Sequence, residues 1–390
     1  MKELVSPELR DRLLALRRSI HQEPELAFQE ERTAAKLEDA LRSCGVGEIR
    51  RVAGTGVVAR VRGTDRDAPV VAIRGDIDAL PIREETGLPF ASRNDGVMHA
   101  CGHDVHATWA VGAAALLRER PARGDVVIVL QPAEEIGRGA AALLDGGALA
   151  GVRGIFGAHV DRRFDVGTVV ADAGPLAASA DTFAIELVGQ GAHAARPHEA
   201  RDPIVAAAAL VTAIQTIVSR KLNPATPGVI TVGQISAGTA PNIIPDRAVL
   251  HGTVRAVDPA SRQMMLDELR RLAQSIGAAH GVSAGVDIPE GTPPLVNPAP
   301  MAEVAREAVR RVLGDKALSP LGIVNLAGED FAYYMERMPG CFLRVGAREP
   351  GGAMIPAHSP RFHADEESIF VGASVLAECA RVAAESQDWT

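Results

Sequence analysis

Cysteine is scarce in this 390-residue chain, with four residues at positions 44, 101, 341 and 379. A disulfide-stapled secreted scaffold needs more of them, closely spaced, so that class is excluded. The expected compartment is a reducing cytoplasm, where a thiol can serve a metal. Positive charge is also short: 41 Lys and Arg stand against 49 Asp and Glu, a net charge of -8, and no basic run offsets it. A broad nucleic-acid footprint is therefore not expected. No apolar run approaches the ~20 residues that span a bilayer, so no membrane partner is expected. The N-terminus reads as a polar start followed by an amphipathic helix, not as a signal peptide. Short-period repeats, coiled-coil seams and low-complexity tracts are missing. So is a G-x-G-x-x-G after the first strand, and "AGTGVVARVRG" lacks a following helix, which argues against a nucleotide-binding oxidoreductase.

What remains is an ordinary globular composition, 47% apolar and 23% charged, in a chain long enough for two domains or for one core with an insertion. Ser6 and Pro7 open a helix with Leu9, Leu13, Leu16 and Ile20 on one face. Segments 56–63, 70–76, 125–131 and 154–160 read as strands, the second and third apolar enough to be buried, and Asp104 to Arg120 reads as a helix. Strands alternating with helices predict an α/β layer with functional groups at the strand ends. Between 182 and 288 the order strand, helix, strand, strand, helix, strand predicts a small α+β sandwich of the split βαβ kind. A proline-rich connector, "PEGTPPLVNPAP", precedes a further helix at Met301 to Val312. The expected division is a catalytic metal-binding domain over 1–177 and 295–390, with a smaller lid or dimerisation domain inserted over 178–294.

The densest chemistry lies in "MHACGHDVH" (98–106), which holds three of the eleven histidines and one of the four cysteines. Cys101 and His103, one residue apart just before a helix, can reach one centre. A thiolate beside an imidazole suits zinc and accepts manganese, cobalt or nickel. The same spacing also suits a small buried cysteine beside a helix-capping His/Asp pair. Glu134 and Glu135 leave a buried strand together; either they are first-turn charges favoured by a helix dipole, or one binds metal while the other takes a proton from water. His159 ends another apolar strand, and His358 lies in "PAHSPRFHADE" near the C-terminus. Together these residues offer enough donors for two metals.

Seven segments occur in order: "RGDIDALPI", "MHACGHDVH", "LQPAEE", "GAHV", "GQGAHAARPH", "GEDFAYY" and "AHSPRFHADEE". Over nearly the whole chain they resemble the metallopeptidase family of hippurate hydrolase, aminoacylase-like N-acyl-amino-acid amidohydrolases and auxin-conjugate hydrolases. That resemblance implies a zinc-peptidase-like catalytic domain, its mixed sheet flanked by helices. It implies two divalent ions, zinc or manganese with cobalt or nickel as substitutes, on Cys101, His103, Glu135, His159 and His358. It makes Glu134 the catalytic base, and Asp78 of "DID" the carboxylate that orients a ligand histidine. His193 would approach the reacting carbonyl from the inserted domain, and Asn242 and Arg255 would bind the substrate carboxylate. Two departures stand out. His363, five residues after His358, competes as a ligand, and Gly75 replaces the alanine usual in that family, an exchange expected to be harmless.

The function these resemblances imply is hydrolysis of N-acyl amino acids to a carboxylic acid and an amino acid. The protein would act as a homodimer or higher homo-oligomer through its inserted domain. A dipeptidase or carboxypeptidase would use the same metal chemistry on a peptide bond. A non-catalytic metal-binding protein would have no need of Glu134.

Overall fold

A computed structural model describes residues 4–385 and 389. Residues 1–3, 386–388 and 390 lie outside the described residues, and with them the first residues of the polar N-terminal start and the extreme ends of the expected first domain. The chain divides into two compact units. The first runs through Gly174 and resumes over Asn297–Ile323 and from Asp330 onward; the second comprises Pro175–Val296 and Val324–Glu329. The divisions expected at 177/178 and 294/295 lie close to these, but 324–329 fall with the second unit instead of the first.

In chain order the first unit begins with α1 (Pro7–Gln22), α2 (Glu31–Ser43), β1 (Glu48–Val52), β2 (Gly56–Val61) and β3 (Val71–Asp76). It continues with α3 (His103–Glu119), β4 (Val126–Gln131), α4 (Gly139–Asp145), β5 (Gly154–Asp165) and β6 (Val169–Val170). The second unit holds β7 (Gly174–Ala177, which starts at the division), β8 (Asp181–Val188), β9 (Ala192–His193), α5 (Pro203–Thr216), β10 (Gly228–Ala237) and β11 (Ile243–Ile244). It goes on through β12 (Arg247–Ala256), α6 (Pro259–Ala279), β13 (Ser283–Asp287) and β14 (Leu295–Asn297). The chain closes with α7 (Ala299–Leu313), α8 (Ala332–Met335), β15 (Gly340–Arg348) and α9 (Glu367–Glu385).

The first unit is built on a seven-stranded sheet in the order β1-β2-β4-β3-β5-β15-β6. Strands β4, β3, β5 and β15 are mutually parallel, while β1, β2 and β6 are antiparallel to their neighbours. The parallel strands are buried on both faces, which is why their sequences are nearly continuous Val, Ile and Ala. Helix α3 is apolar almost all round because it packs against the sheet, α1 and α9 at once. Ser6 caps α1 by accepting the Leu9 N–H, and Leu9, Leu13 and Ile20 are buried beneath it. The elements not expected from the pattern, α2, β1, α4, β6, α8, β15 and α9, complete this unit.

The second unit carries a four-stranded antiparallel sheet in the order β10-β12-β8-β13. Phe183, Ile185 and Leu187 alternate inward on β8 and meet the buried sides of α5 and α6. Asp202 and Asp258 cap these two helices, each followed by proline at the first helical position. Residues Pro203–Lys221 form one helical stretch of 19 residues, long and apolar enough to cross a membrane. The polar residues Thr212, Gln215, Thr216 and Ser219 interrupt the run in sequence. The inner face of this stretch (Ala206, Ala207, Leu210, Ile214 and Ile217) belongs to the core of the unit.

Gly75 lies at a close crossing of helix and strand. A Cβ on it would stand 2.4 Å from the carbonyl oxygen of His106, so α3 crosses β3 closer than any side chain permits. Gly75→Ala is expected to destabilise the protein by about 1–3 kcal/mol, the usual cost of overpacking, and to lower the midpoint of chemical unfolding. An unchanged midpoint would mean that α3 shifts at no cost.

Candidate metal centre

The chain enters the sheet's centre at β3, crosses through α3 to β4 on one side, and then places β5 on the other side of β3. The carboxyl ends of these parallel strands therefore surround a topological switch point, where open α/β sheets bind ligands. Asp78 follows β3, Glu134 and Glu135 follow β4, and His159 lies on β5. Cys101 and His103 arrive on the turn into α3, and His358 comes from the segment between β15 and α9.

The structure brings all of these residues together within the first unit. Cys101 Sγ is 3.3 Å from His159 Nε2. His103 Nε2 lies 3.8 Å from Glu135 Oε1 and 3.9 Å from Glu134 Oε2. His358 Nε2 is 3.2 Å from Glu135 Oε2. Cys101 forms one donor set with His103 and His159 and another with Glu135 and His358, while His103, Glu134 and Glu135 form a third, the donor atoms of each set lying within 4.8 Å of one another. The thiol belongs to the first two. His363 does not join them: its Nδ1 donates to the Arg361 carbonyl at 3.1 Å, and its Nε2 lies 3.3 Å from Glu349 Oε1.

Backbone geometry aims these side chains. Asp78 accepts the His103 Nδ1–H on its carbonyl at 2.9 Å, with Oδ1 also at 3.1 Å, which turns Nε2 toward the cluster. Its Oδ2 accepts the Glu135 N–H at 3.0 Å. His159 donates Nδ1–H to the Val160 carbonyl at 2.7 Å, leaving the Nε2 lone pair facing Cys101. His358 has a left-handed backbone, φ 67°, and its N–H is held by the Ala100 carbonyl at 2.8 Å. A non-glycine residue in that region carries strain that its surroundings must hold, a pattern frequent at functional sites.

The electrostatics fit a divalent cation. Four carboxylates, Asp76, Asp78, Glu134 and Glu135, converge with a thiol in a largely buried space. Among the described residues, His103 Nε2 and Glu135 Oε1 are buried with no hydrogen-bond partner. Each such atom costs ~1–3 kcal/mol when nothing satisfies it; a cation satisfies both. Burial, reinforced by Glu135, pushes the Cys101 thiol above its ordinary range, so the thiolate needs a compensating positive charge. Burial opposes a charged His103, but Asp76, Asp78 and Cys101 outweigh it and raise its pKa well above the ordinary value. His159 is driven the other way, chiefly by burial and then by His106 and Arg344, and presents a neutral ring. His358 is raised by its hydrogen bond to Glu135.

Sequence reasoning missed the layer behind these donors. His106 donates Nδ1–H to Asp76 Oδ1 at 2.6 Å and accepts the Val160 N–H on Nε2 at 3.0 Å, fixing the backbone beside His159. Buried Arg74 reaches Asp76, Gln131 at 2.8 Å and Asp330 at 3.0 Å. Asp330 also accepts the Ala140 N–H, and its own N–H points to Glu134 Oε1 at 3.4 Å. An arginine and an aspartate inside the otherwise apolar "VAIRGD" were the available signal. His99, the remaining histidine of the motif, is buried with neither ring nitrogen hydrogen-bonded, and burial lowers its pKa to about 3.

The other expected residues lie in the second unit. His193 pairs with Ile243 across β9 and β11, and the Ala194 N–H donates to the Asn242 carbonyl at 3.0 Å. His193, Asn242 and Arg247 line one surface cavity of about 840 Å³. Arg255 lies eight residues along β12 from Arg247, paired with Val229. At ~3.4 Å per residue that is ~27 Å, so Asn242 and Arg255 do not form one carboxylate site within a single chain.

Residues 72–382 match the peptidase family M20/M25/M40. An N-acetyl-L-cysteine deacetylase of Bacillus subtilis is 40% identical over 382 residues, covering 97% of this chain and 90% of the relative. A thermostable carboxypeptidase of Saccharolobus solfataricus is 35% identical over 376 residues, covering 94% of each. The crystal structure of the YXEP protein of Bacillus subtilis, described as a dinuclear metal binding peptidase from the M20 family, superposes with a TM-score of 0.87. It is 37% identical, over 97% of this chain and 99% of that one.

Gly102, between Cys101 and His103, has φ 89°, and a Cβ there would stand 2.4 Å from Val160 Cγ2. Gly102→Ala is therefore expected to displace the Cys101 turn or Val160 on β5, lowering bound metal and thermal stability together. Elemental analysis that finds wild-type metal content in a folded Gly102→Ala protein would contradict this.

Proposed function

The chain belongs to peptidase family M20/M25/M40, and we propose that within it the protein cleaves N-acyl amino acids to a carboxylic acid and an amino acid. It is a hydrolase of amide bonds. The observation that carries the finer reading is the Glu134–Glu135 pair. Both carboxylates reach His103, Glu135 at 3.8 Å and Glu134 at 3.9 Å from Nε2, but Glu135 also belongs to a donor set with Cys101 and His358 that does not include Glu134. A pure metal binder has no use for that second carboxylate.

In this reading Cys101, His103, Glu135, His159 and His358 would hold two divalent ions. The donor set suits zinc or manganese and accepts cobalt or nickel. When bound, the ions polarise the scissile carbonyl and make a water acidic. Glu134 takes the proton from that water and passes it to the departing amine. Asp78 keeps His103 and Glu135 aimed. His193 stabilises the oxyanion, and Asn242 and Arg255 bind the substrate carboxylate.

Because Arg255 lies at the far end of β12 from Arg247, which shares a cavity with Asn242, this reading requires two copies of the chain to serve one substrate. The second unit offers a surface for pairing. Strand β10 is an unpaired sheet edge, Ile204, Val205 and Ile235 are exposed, and Ile204 reaches the end of that strand at Gly238. We place the protein in the cytoplasm as a homodimer, with its four cysteines free and with no nucleic-acid or membrane partner.

Two experiments test the reading. A hydrolysis screen over N-acetyl, N-benzoyl and indole-acyl amino acids against dipeptides separates it from a dipeptidase or carboxypeptidase. Glu134→Gln should keep its metal and lose on the order of 10²–10⁴ in kcat with little change in KM. Glu135→Ala should lose metal and activity together. Retained metal and normal turnover in both variants would sink the mechanism.

Introducing Val205→Glu with Ile235→Glu should yield a monomer in sedimentation that keeps its metal but has lost most of its hydrolysis. A fully active monomer would refute the contribution of a second copy.

A further inference from the structure

Three residues after His159 on β5 stands Arg162, whose side chain is 2% exposed and reaches away from the donor cluster into the segment that carries His358. Its two terminal nitrogens donate to the His363 carbonyl at 2.7 Å and the Ala353 carbonyl at 2.8 Å. They also grip both oxygens of Glu349, at 2.8 and 3.1 Å, with a longer contact to the Ala347 carbonyl at 3.4 Å. Glu349 is shared in turn with His363 Nε2 at 3.3 Å. A single buried guanidinium thus ties the segment at both of its ends, 347–353 and 363, to the strand that presents His159.

His358 lies between those two tied ends, in the left-handed backbone conformation that an untethered loop abandons. Inside the segment, its own fastening to the rest of the cluster is the N–H held by Ala100 and the ring contact with Glu135. Arg suits this task better than Lys, because its planar fork offers several donors in fixed directions and stays charged. His363, which in sequence competes with His358 as a ligand, has its ring engaged with Glu349 and Arg361 instead.

We propose that Arg162, with Glu349 and His363, is a positioning clamp that holds His358 in its ligating conformation. It thereby sets the occupancy of the metal position served by Cys101, Glu135 and His358, and leaves the position served by Cys101, His103 and His159 unaffected. The proposal rests on the ligand roles given under Proposed function.

The test is zinc binding to the full-length protein, measured by competition with a chromophoric chelator. Wild type should take up two ions. Arg162→Ala and Arg162→Lys should keep one at unchanged affinity and bind the second at least tenfold more weakly. Glu349→Gln, at a side chain 41% exposed, should give a smaller loss at the same position and serves if the arginine variants fail to fold. Methylguanidinium in the buffer should restore the second ion to Arg162→Ala and not to His358→Ala. Two ions at wild-type affinity in both Glu349→Gln and a folded Arg162 variant would overturn the clamp, as would equal weakening at both positions or no rescue. Fewer than two ions on the wild type would instead overturn the dinuclear reading itself, and the clamp with it.

Discussion

Asp78 is the residue on which the centre turns. Its carbonyl and one carboxylate oxygen set the ring of His103, and its other oxygen sets the backbone of Glu135. Two donors from different parts of the chain are thereby brought face to face at 3.8 Å, each buried and without a hydrogen-bond partner among the described residues. Such an arrangement is unfavourable for the polypeptide alone, since buried polar atoms ordinarily find partners. The folding energy of the sheet and of α3 holds it in place, so the binding of an ion meets donors already oriented. The same residue explains why donors arriving on the turn into α3 and on the loop after β4 share one geometry.

Behind Asp78 the charges are arranged in alternation. Arg74, wholly buried on the central strand, lies between Asp76 and Asp330, and Asp76 in turn holds His106. A buried ion network of this kind contributes more to position than to stability, because desolvation offsets much of its Coulomb attraction. Here position is what matters. His106 fixes the Val160 backbone, Asp330 stands under Glu134, and the donors in front are left with an excess of negative charge. The close approach of α3 to β3 at Gly75 belongs to the same construction, since His106 sits at that crossing.

The second unit is simpler in its logic. Its sheet is covered by α5 and α6 on one side and ends in the open edge of β10, and its chemistry-bearing residues divide between the two ends of β12. A single chain therefore presents His193 and Asn242 in one place and Arg255 in another. This separation, and not the apolar edge by itself, gives the pairing of copies its functional weight.

By itself the sequence determined much of the architecture. Alternation and apolar runs marked β2, β3, β4, β8, β10 and β12, and the cap residue Ser6 stands where its helix begins, because these signals are local. It also identified the donor types, since few other reasons concentrate Cys101, His103 and a glutamate pair beside buried strands. Tertiary structure alone decided which donors converge. His358 and His363 sit five residues apart in one polar segment with nothing local to distinguish them; the anchoring of that segment to Ala100 and Arg162 turns one toward Glu135 and the other toward Glu349. Asp76, His106 and Arg162 escaped notice for the same reason, as their partners are remote in the chain. So did the clash waiting at Gly75, because a close crossing of helix and strand leaves no periodic trace. A local pattern specifies how a segment folds and what chemistry it carries, whereas the meeting of distant segments is set by how the whole sheet and its helices pack.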